Sequence, residues 1–150
     1  MKAAPDIRTV LVSTDLSDYG DAAIAHAFRF ARDYGARVVM VHVLDVHPTP
    51  NPLYAHYYPI PTPEQTRQAE AKAKEALRAL IPAELRDSDR VEMLVTHGAA
   101  APEILRIAGE KKASLIVIAT HGRTGLLRLA LGSVAERVIR EAPCPVLVVR

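Results

Sequence analysis

SLIVIATHGRTGLLRLALGSVAERVIREAPCPVLVV, residues 114–149, carries the pattern from which the fold is read. Ser114–Thr120 is almost wholly apolar, as expected of a strand covered on both faces of a parallel sheet. A glycine-bearing segment follows, and a helix is expected over about Gly132–Arg140, stopping before Pro143. Pro145–Val149 is a short apolar strand. A helix between neighbouring parallel strands is a right-handed crossover. Working outward, Ile7–Ser13, Arg37–Leu44 and Val91–Thr96 are three more β-rich runs. Between them lie helical patterns. In Ser17–Tyr34, residues Ile24, Ala27, Phe28 and Ala31 form one apolar stripe, Ser17 or Asp18 can cap the start, and Gly35 suits a left-handed C-terminal position. Thr62-Pro63-Glu64-Gln65 is a capping box with proline at the first helical position; it opens a helix to about Leu80, ended by Pro82. Pro102–Lys112 packs through Ile104, Leu105 and Ala108. Strand and helix alternate throughout, so the expected architecture is a three-layer α/β, doubly wound, Rossmann-like open sheet of five mainly parallel strands with four helices. With no internal repeat or linker, residues 1–150 read as a single domain.

Composition narrows the function classes. The 150 residues are 49% apolar and 24% charged, with a formal charge of +2, the balance of a folded globule rather than a disordered chain. No run of about 18 apolar residues could span a membrane, and Met1–Pro5 does not open a signal peptide. The single Cys144, between two prolines, cannot form an internal disulfide or a multi-thiolate metal site and reads as an inert thiol. A reducing cytoplasm is the expected compartment. The spread-out basic residues, two Phe, five Tyr and absent Trp argue against a nucleic-acid partner.

Ligands of open α/β sheets bind beyond the carboxyl ends of the strands, where the winding reverses. Two segments fall there: Ser13-Thr14-Asp15-Leu16-Ser17, and Ala119–Gly125 continuing to Gly132-Ser133-Val134. Free amides and the dipole at a helix N-terminus favour an anion, and glycine lets a ligand approach the backbone. Asp15 can accept from ribose hydroxyls, or it can cap the first helix. Ser133 can add a hydroxyl to a phosphate, or serve as a plain N-cap. These residues make the physical case for a nucleotide with its phosphates on Gly122, Gly132 and Ser133. Gly125 serves a turn, and His121 reads as a backbone brace because no partner marks it as a general base.

At this point the chain resembles the universal stress protein family over nearly its full length, through IRTVLVSTDLSD (7–18), VVMVHVLD (38–45) and IVIATHGRTGLLRLALGSVAERVIREAPCPVLVV (116–149). ATP-binding members carry Gly-x2-Gly-x9-Gly-Ser/Thr; Gly122, the nine residues Arg123–Leu131, and Gly132-Ser133 match, while Ala119 departs from the first glycine. The resemblance implies ribose on Asp15, Ser13 and Thr14 lining the cleft, adenine against the main chain of Val43 and flanked by Ile118, and phosphates on Gly122, Arg123, Gly132, Ser133 and Val134. It also implies strand order 3-2-1-4-5, and dimerisation through the fifth strand. Edge physics points the same way: Pro145–Val149 is an apolar edge that a second copy, paired antiparallel, would cover. The expected ligand is ATP or a related adenine nucleotide, with Mg²⁺ bridging phosphates, and the expected role is a regulatory, stress-response homodimer that signals to an unidentified protein partner.

Enzyme signals are weak. Gly132-Ser133-Val134-Ala135 is not a nucleophile elbow, the P-loop pattern is absent, and no lysine lies between Gly122 and Ser133, so hydrolysis is slow at most. His42, Asp45 and His47 do not share a strand face and make a poor metal set. Ala119 leaves open a second reading, a dimeric interaction protein of the same fold that binds no nucleotide; a slow ATPase is a third. The segment His47–Pro63, with six prolines, is too long for an ordinary connection; it reads as a surface loop, or as a flap or dimer contact through Tyr54, Tyr57 and Tyr58.

Overall fold

The apolar runs form the strands of one parallel sheet, and the amphipathic stretches form the helices that cover it. A computed structural model describes residues 6–45, 60–120 and 131–150. In chain order the elements are β1 (Thr9–Ser13), α1 (Asp18–Tyr34), β2 (Arg37–Leu44), α2 (Pro63–Ala79), β3 (Val91–His97), α3 (Ala100–Glu110), β4 (Leu115–Ala119), α4 (Ser133–Glu141) and β5 (Val146–Val149), with a 3-10 turn at Ala83–Leu85. The sheet order is β3-β2-β1-β4-β5, and every pairing is parallel. Leu11 lies between Val39 and Ile116, so each central strand residue is flanked on both sides.

Side-chain alternation splits the core in two. Val10, Val12, Val38, Met40 and Val117 pack with Ile24, Phe28 and Leu77 beneath α1 and α2. Leu11, Val39, Val41, Ile116 and Ile118 pack with Ile104, Ile107 and Val138 beneath α3 and α4. Both faces of the central strands are thus apolar, which is why their sequences read as unbroken hydrophobic runs.

Several boundaries move from the sequence expectation. Strand β1 begins at Thr9 rather than Ile7, and β4 omits Ser114 and Thr120. Strand β3 gains His97. Helix α3 begins at Ala100, two residues early, because Pro102 fits inside a first turn whose amides need no intrahelical partner. It ends before Lys112, whose φ of 50° is left-handed. Helix α1 starts after Ser17, but the Ser17 hydroxyl donates to Asp15 and makes no capping bond. The capping box of α2 is present: Gln65 N–H donates to Thr62 Oγ1 at 3.2 Å and Thr62 N–H to Gln65 Oε1 at 2.8 Å.

The two sheet edges differ. On β3, Glu92 pairs with Lys111 at 2.5 Å and with Arg37 at 3.8 Å. Strand β5 carries only Val146, Leu147, Val148 and Val149. Ile116 N–H donates to Pro145 O and Thr120 N–H to Val149 O. Residues 145, 147 and 149 therefore face β4, and the backbone groups of Val146 and Val148 face outward.

Leu77 is fully buried where α2 meets the sheet, whereas Lys74, one turn away, is exposed. Leu77→Ala is expected to cost about 2–5 kcal/mol in urea unfolding. Lys74→Ala should stay within about 0.5 kcal/mol. Equal effects would contradict the packing described.

Candidate functional site

The winding reverses between β1 and β4, and the cleft of the molecule lies at their carboxyl ends. It has a volume of about 660 Å³. Ser13, Thr14 and Asp15 reach it from β1, and Val43 from β2. Ile118 and Ala119 come from β4, Thr120 follows it, and Gly132, Ser133 and Val134 come from the start of α4. Every expected site residue that is described lines this one cleft. Gly122 and Arg123 lie outside the described residues, as do His121, Gly125 and the loop tyrosines Tyr54, Tyr57 and Tyr58.

The turn after β1 is closely determined. Thr14 N–H donates to Val41 O at 3.0 Å, continuing the β1–β2 ladder. Thr14 Oγ1 accepts from Leu16 N–H at 3.0 Å, and Asp15 Oδ1 accepts from Ser17 N–H at 3.0 Å. These side-chain bonds support Leu16 at φ 61°, a conformation that β-carbon residues rarely adopt. His42 Nδ1 lies 2.9 Å from Thr14 O. A carbonyl only accepts, so Nδ1 carries the proton. Thr14 is 4% exposed and His42 6%. Asp15 therefore both braces the approach to α1 and lines the cleft, so the two sequence readings of it are compatible.

Glycine is required at two places around this frame. A Cβ at Gly20 would stand 2.3 Å from Thr14 Oγ1. A Cβ at Gly132 would stand 2.9 Å from Thr120 O, the oxygen that accepts the Gly132 N–H at 2.8 Å. The Gly132 N–H is therefore paired within the protein. That amide is committed to closing the chain back onto β4. The amides left without an intrahelical acceptor belong to Ser133, Val134 and Ala135, because Glu136 N–H makes the first helical bond, to Gly132 O. Gly132 is the N-cap and has no side chain to cover them, so Ser133 is the first helical residue and not the cap. The N-terminus of α2, by contrast, is closed by its capping box.

Ala119 packs its side chain against the core beneath α1, whereas Ile118, Val134 and Ala135 belong to the cluster beneath α3 and α4. At the far rim, His97 Nε2 and Glu70 Oε1 are 2.6 Å apart and tie β3 to α2; the hydrogen bond from His97 holds the Glu70 carboxyl below its usual value. Among the described residues, no three His, Cys, Asp or Glu side chains converge on a metal position. Burial pushes the Cys144 thiol up, away from the thiolate form.

Sequence reading missed Gly20, the helix α2 residues Gln65, Thr66 and Ala69, and His97, all of which line the cleft. It weighed His42 only as a metal ligand. One signal was available: His42 continues the face of Val38 and Met40, so it is a polar residue in a buried apolar row.

Gly20→Ala is expected to destabilise the fold by about 1–3 kcal/mol, since Thr14 must give way. Gly109→Ala in α3, where a Cβ meets nothing within 4 Å, should stabilise by about 0.5–1 kcal/mol. Thermal or urea unfolding reads both, and the same sign for the two would refute the Gly20–Thr14 constraint.

Comparison with known proteins agrees with this architecture. Residues 6–150 match the universal stress protein family. Universal stress protein MJ0531 of Methanocaldococcus jannaschii is 36% identical over 95% of this chain and 82% of its own. The Thermus aquaticus universal stress protein of the QAH/OAS sulfhydrylase 3′ region is 35% identical over 95% of this chain and 98% of its own. The solved structure of hypothetical protein MJ0577 aligns with a TM-score of 0.76 at 28% identity, covering 96% of each chain. Two further structures share the fold at 22% identity. One is a universal stress protein in complex with cAMP (TM-score 0.66, 95% of this chain and 97% of that one). The other is the Archaeoglobus fulgidus universal stress protein in complex with dAMP (TM-score 0.64, 96% and 98%). With its sheet order, cleft and family match in agreement, this chain belongs to the universal stress protein family.

Proposed function

We propose that the chain, as one cytoplasmic domain, is an adenine-nucleotide-binding regulatory module, with ATP and Mg²⁺ as its ligand and a homodimer as its working form. The observation that carries the reading is the arrangement across the cleft. The Asp15 carboxylate lines one side, and the first turn of α4, at Ser133, Val134 and Ala135, whose N-cap glycine has no capping side chain, lines the other. An anion is favoured at that turn by its amides and by the helix dipole. A carboxylate is the group that accepts from a sugar diol. Val43 and Ile118 supply apolar walls of the kind that hold a base. The adenine mononucleotides bound by two relatives of the same fold support the ligand class. The Ala119 methyl packs into the α1-side core, so it leaves the face of Ile118 and Val134 open. Gly122 and Arg123 are assigned to the phosphates, and Mg²⁺ would bridge those phosphates rather than rest on a protein cage. No lysine stands between Gly122 and Ser133 to stabilise a transferring phosphoryl group, so the proposed output is occupancy, read by a partner, rather than turnover.

Titration calorimetry with MgATP tests the ligand. Binding should be saturable below about millimolar nucleotide, and its absence in ligand-free protein would end the reading. A double-mutant cycle tests Asp15. Removing both ribose hydroxyls, as in 2′,3′-dideoxy-ATP, should weaken binding about tenfold to the unmodified chain. It should have little effect on Asp15→Asn, and an equal penalty in both would move the sugar elsewhere.

The dimer rests on the outward backbone groups of Val146 and Val148 on an uncharged edge. Val148→Pro deletes one outward N–H and leaves the bonds to β4 intact. Sedimentation should give twice the 16.3 kDa chain mass for the unmodified protein and the single mass for Val148→Pro. A monomeric unmodified protein would overturn the proposed form.

A further inference from the structure

The imidazole of His42 is the buried group whose role the nucleotide reading does not use. It stands at the carboxyl end of β2, on the face beneath α1 and α2, and it lines the cleft. Its Nδ1–H donates to Thr14 O at 2.9 Å. That oxygen belongs to the peptide unit whose amide nitrogen is Asp15 N. A trans peptide is planar, so fixing the carbonyl direction fixes the plane from which the Asp15 Cα departs. The other polar atoms of Thr14 are also held: N–H by Val41 O, and Oγ1 by Leu16 N–H. Gly20 packs against the same hydroxyl. The carbonyl bond is the part of this frame made by a side chain from another strand.

We propose that His42 is the positioning residue of the cleft. Through Nδ1–H it locks the Thr14–Asp15 peptide and so aims the Asp15 carboxylate at the sugar of the ligand. The aiming role rests on the nucleotide reading; the locking role does not. His42 touches neither phosphate nor metal in this proposal. It acts through Thr14, in the way that an outer partner orients a binding group.

Two substitutions separate positioning from space-filling. In His42→Asn the amide nitrogen stands close to the place of Nδ1, so the donor is kept although volume is lost. In His42→Gln the amide reaches the place of Nε2, so more volume is kept and the donor at the δ position is lost. A space-filling role makes Gln the milder change. The positioning role makes Asn the milder change for the cleft. MgATP affinity should stay within about twofold for His42→Asn and fall about tenfold for His42→Gln, the worth of one hydrogen bond. In ligand-free protein, hydrogen exchange at the Leu16 and Ser17 amides should accelerate in His42→Gln and not in His42→Asn. Equal exchange and equal affinity in the two variants, or a milder effect of Gln on both, would overturn the proposal. If the unmodified protein binds no nucleotide, the ligand reading fails by itself, and the exchange measurement still decides whether His42 holds the turn.

Discussion

Thr14 is where the sheet stops and the cleft begins, and the geometry of both depends on how that residue is held. Its amide completes the β1–β2 ladder, its hydroxyl accepts from Leu16, and its carbonyl accepts from His42. Three directions of approach are thereby filled, and the residue is almost fully buried. A buried polar residue is stable only when its groups are paired. The chain meets that condition with groups from β2 and the following turn. The space for the hydroxyl exists because Gly20 has no side chain. Asp15 inherits its position from this frame, so the polar side of the cleft is a by-product of satisfying Thr14.

The opposite side is built on a different principle. Helix α4 begins at a glycine whose amide is spent on Thr120 O. Among the described residues no side-chain cap reaches the next three amides, and capping bonds of this kind are worth about 1 kcal/mol. The capping box of α2 shows that the sequence can close a helix start completely. Two helix ends on the rim of one cleft are thus started in opposite ways, one by a capping box and one by a glycine with no capping side chain. The stability forgone at α4 is the kind of local cost found at binding sites.

Much of the fold was legible in local pattern. The apolar runs at 9–13, 37–44, 91–97, 115–119 and 146–149 are strands because both faces of a parallel sheet are covered. Thr62, Pro63 and Gln65 announced α2, and Gly35 ends α1 at φ 65°. Periodicity could not give the strand order, which came from resemblance, because order is a property of crossovers. Helix ends slipped by one or two residues where Pro102 and Gly132 admit two readings. Part of the candidate site was visible as two local segments, 13–15 and 132–134, and Val43 and Ile118 came from resemblance. The rest was hidden for a topological reason. His42, Gly20, Gln65 and His97 stand on other elements, and only the 3-2-1-4-5 order brings them to one cleft. Gly132 shows the reverse case: the sequence pattern singles it out, and the contact that demands glycine there is with Thr120 O.

The unequal sheet borders bear on how far copies of this chain could stack. A fibre needs two adhesive borders, one at each end of every subunit. Among the described residues β5 is apolar and pairs only with β4, while β3 presents Glu92 locked to Lys111 and Arg37. Joining two molecules back to back through β5 would consume both adhesive borders and leave two guarded ones outside. Growth of a continuous ribbon would then end after one step.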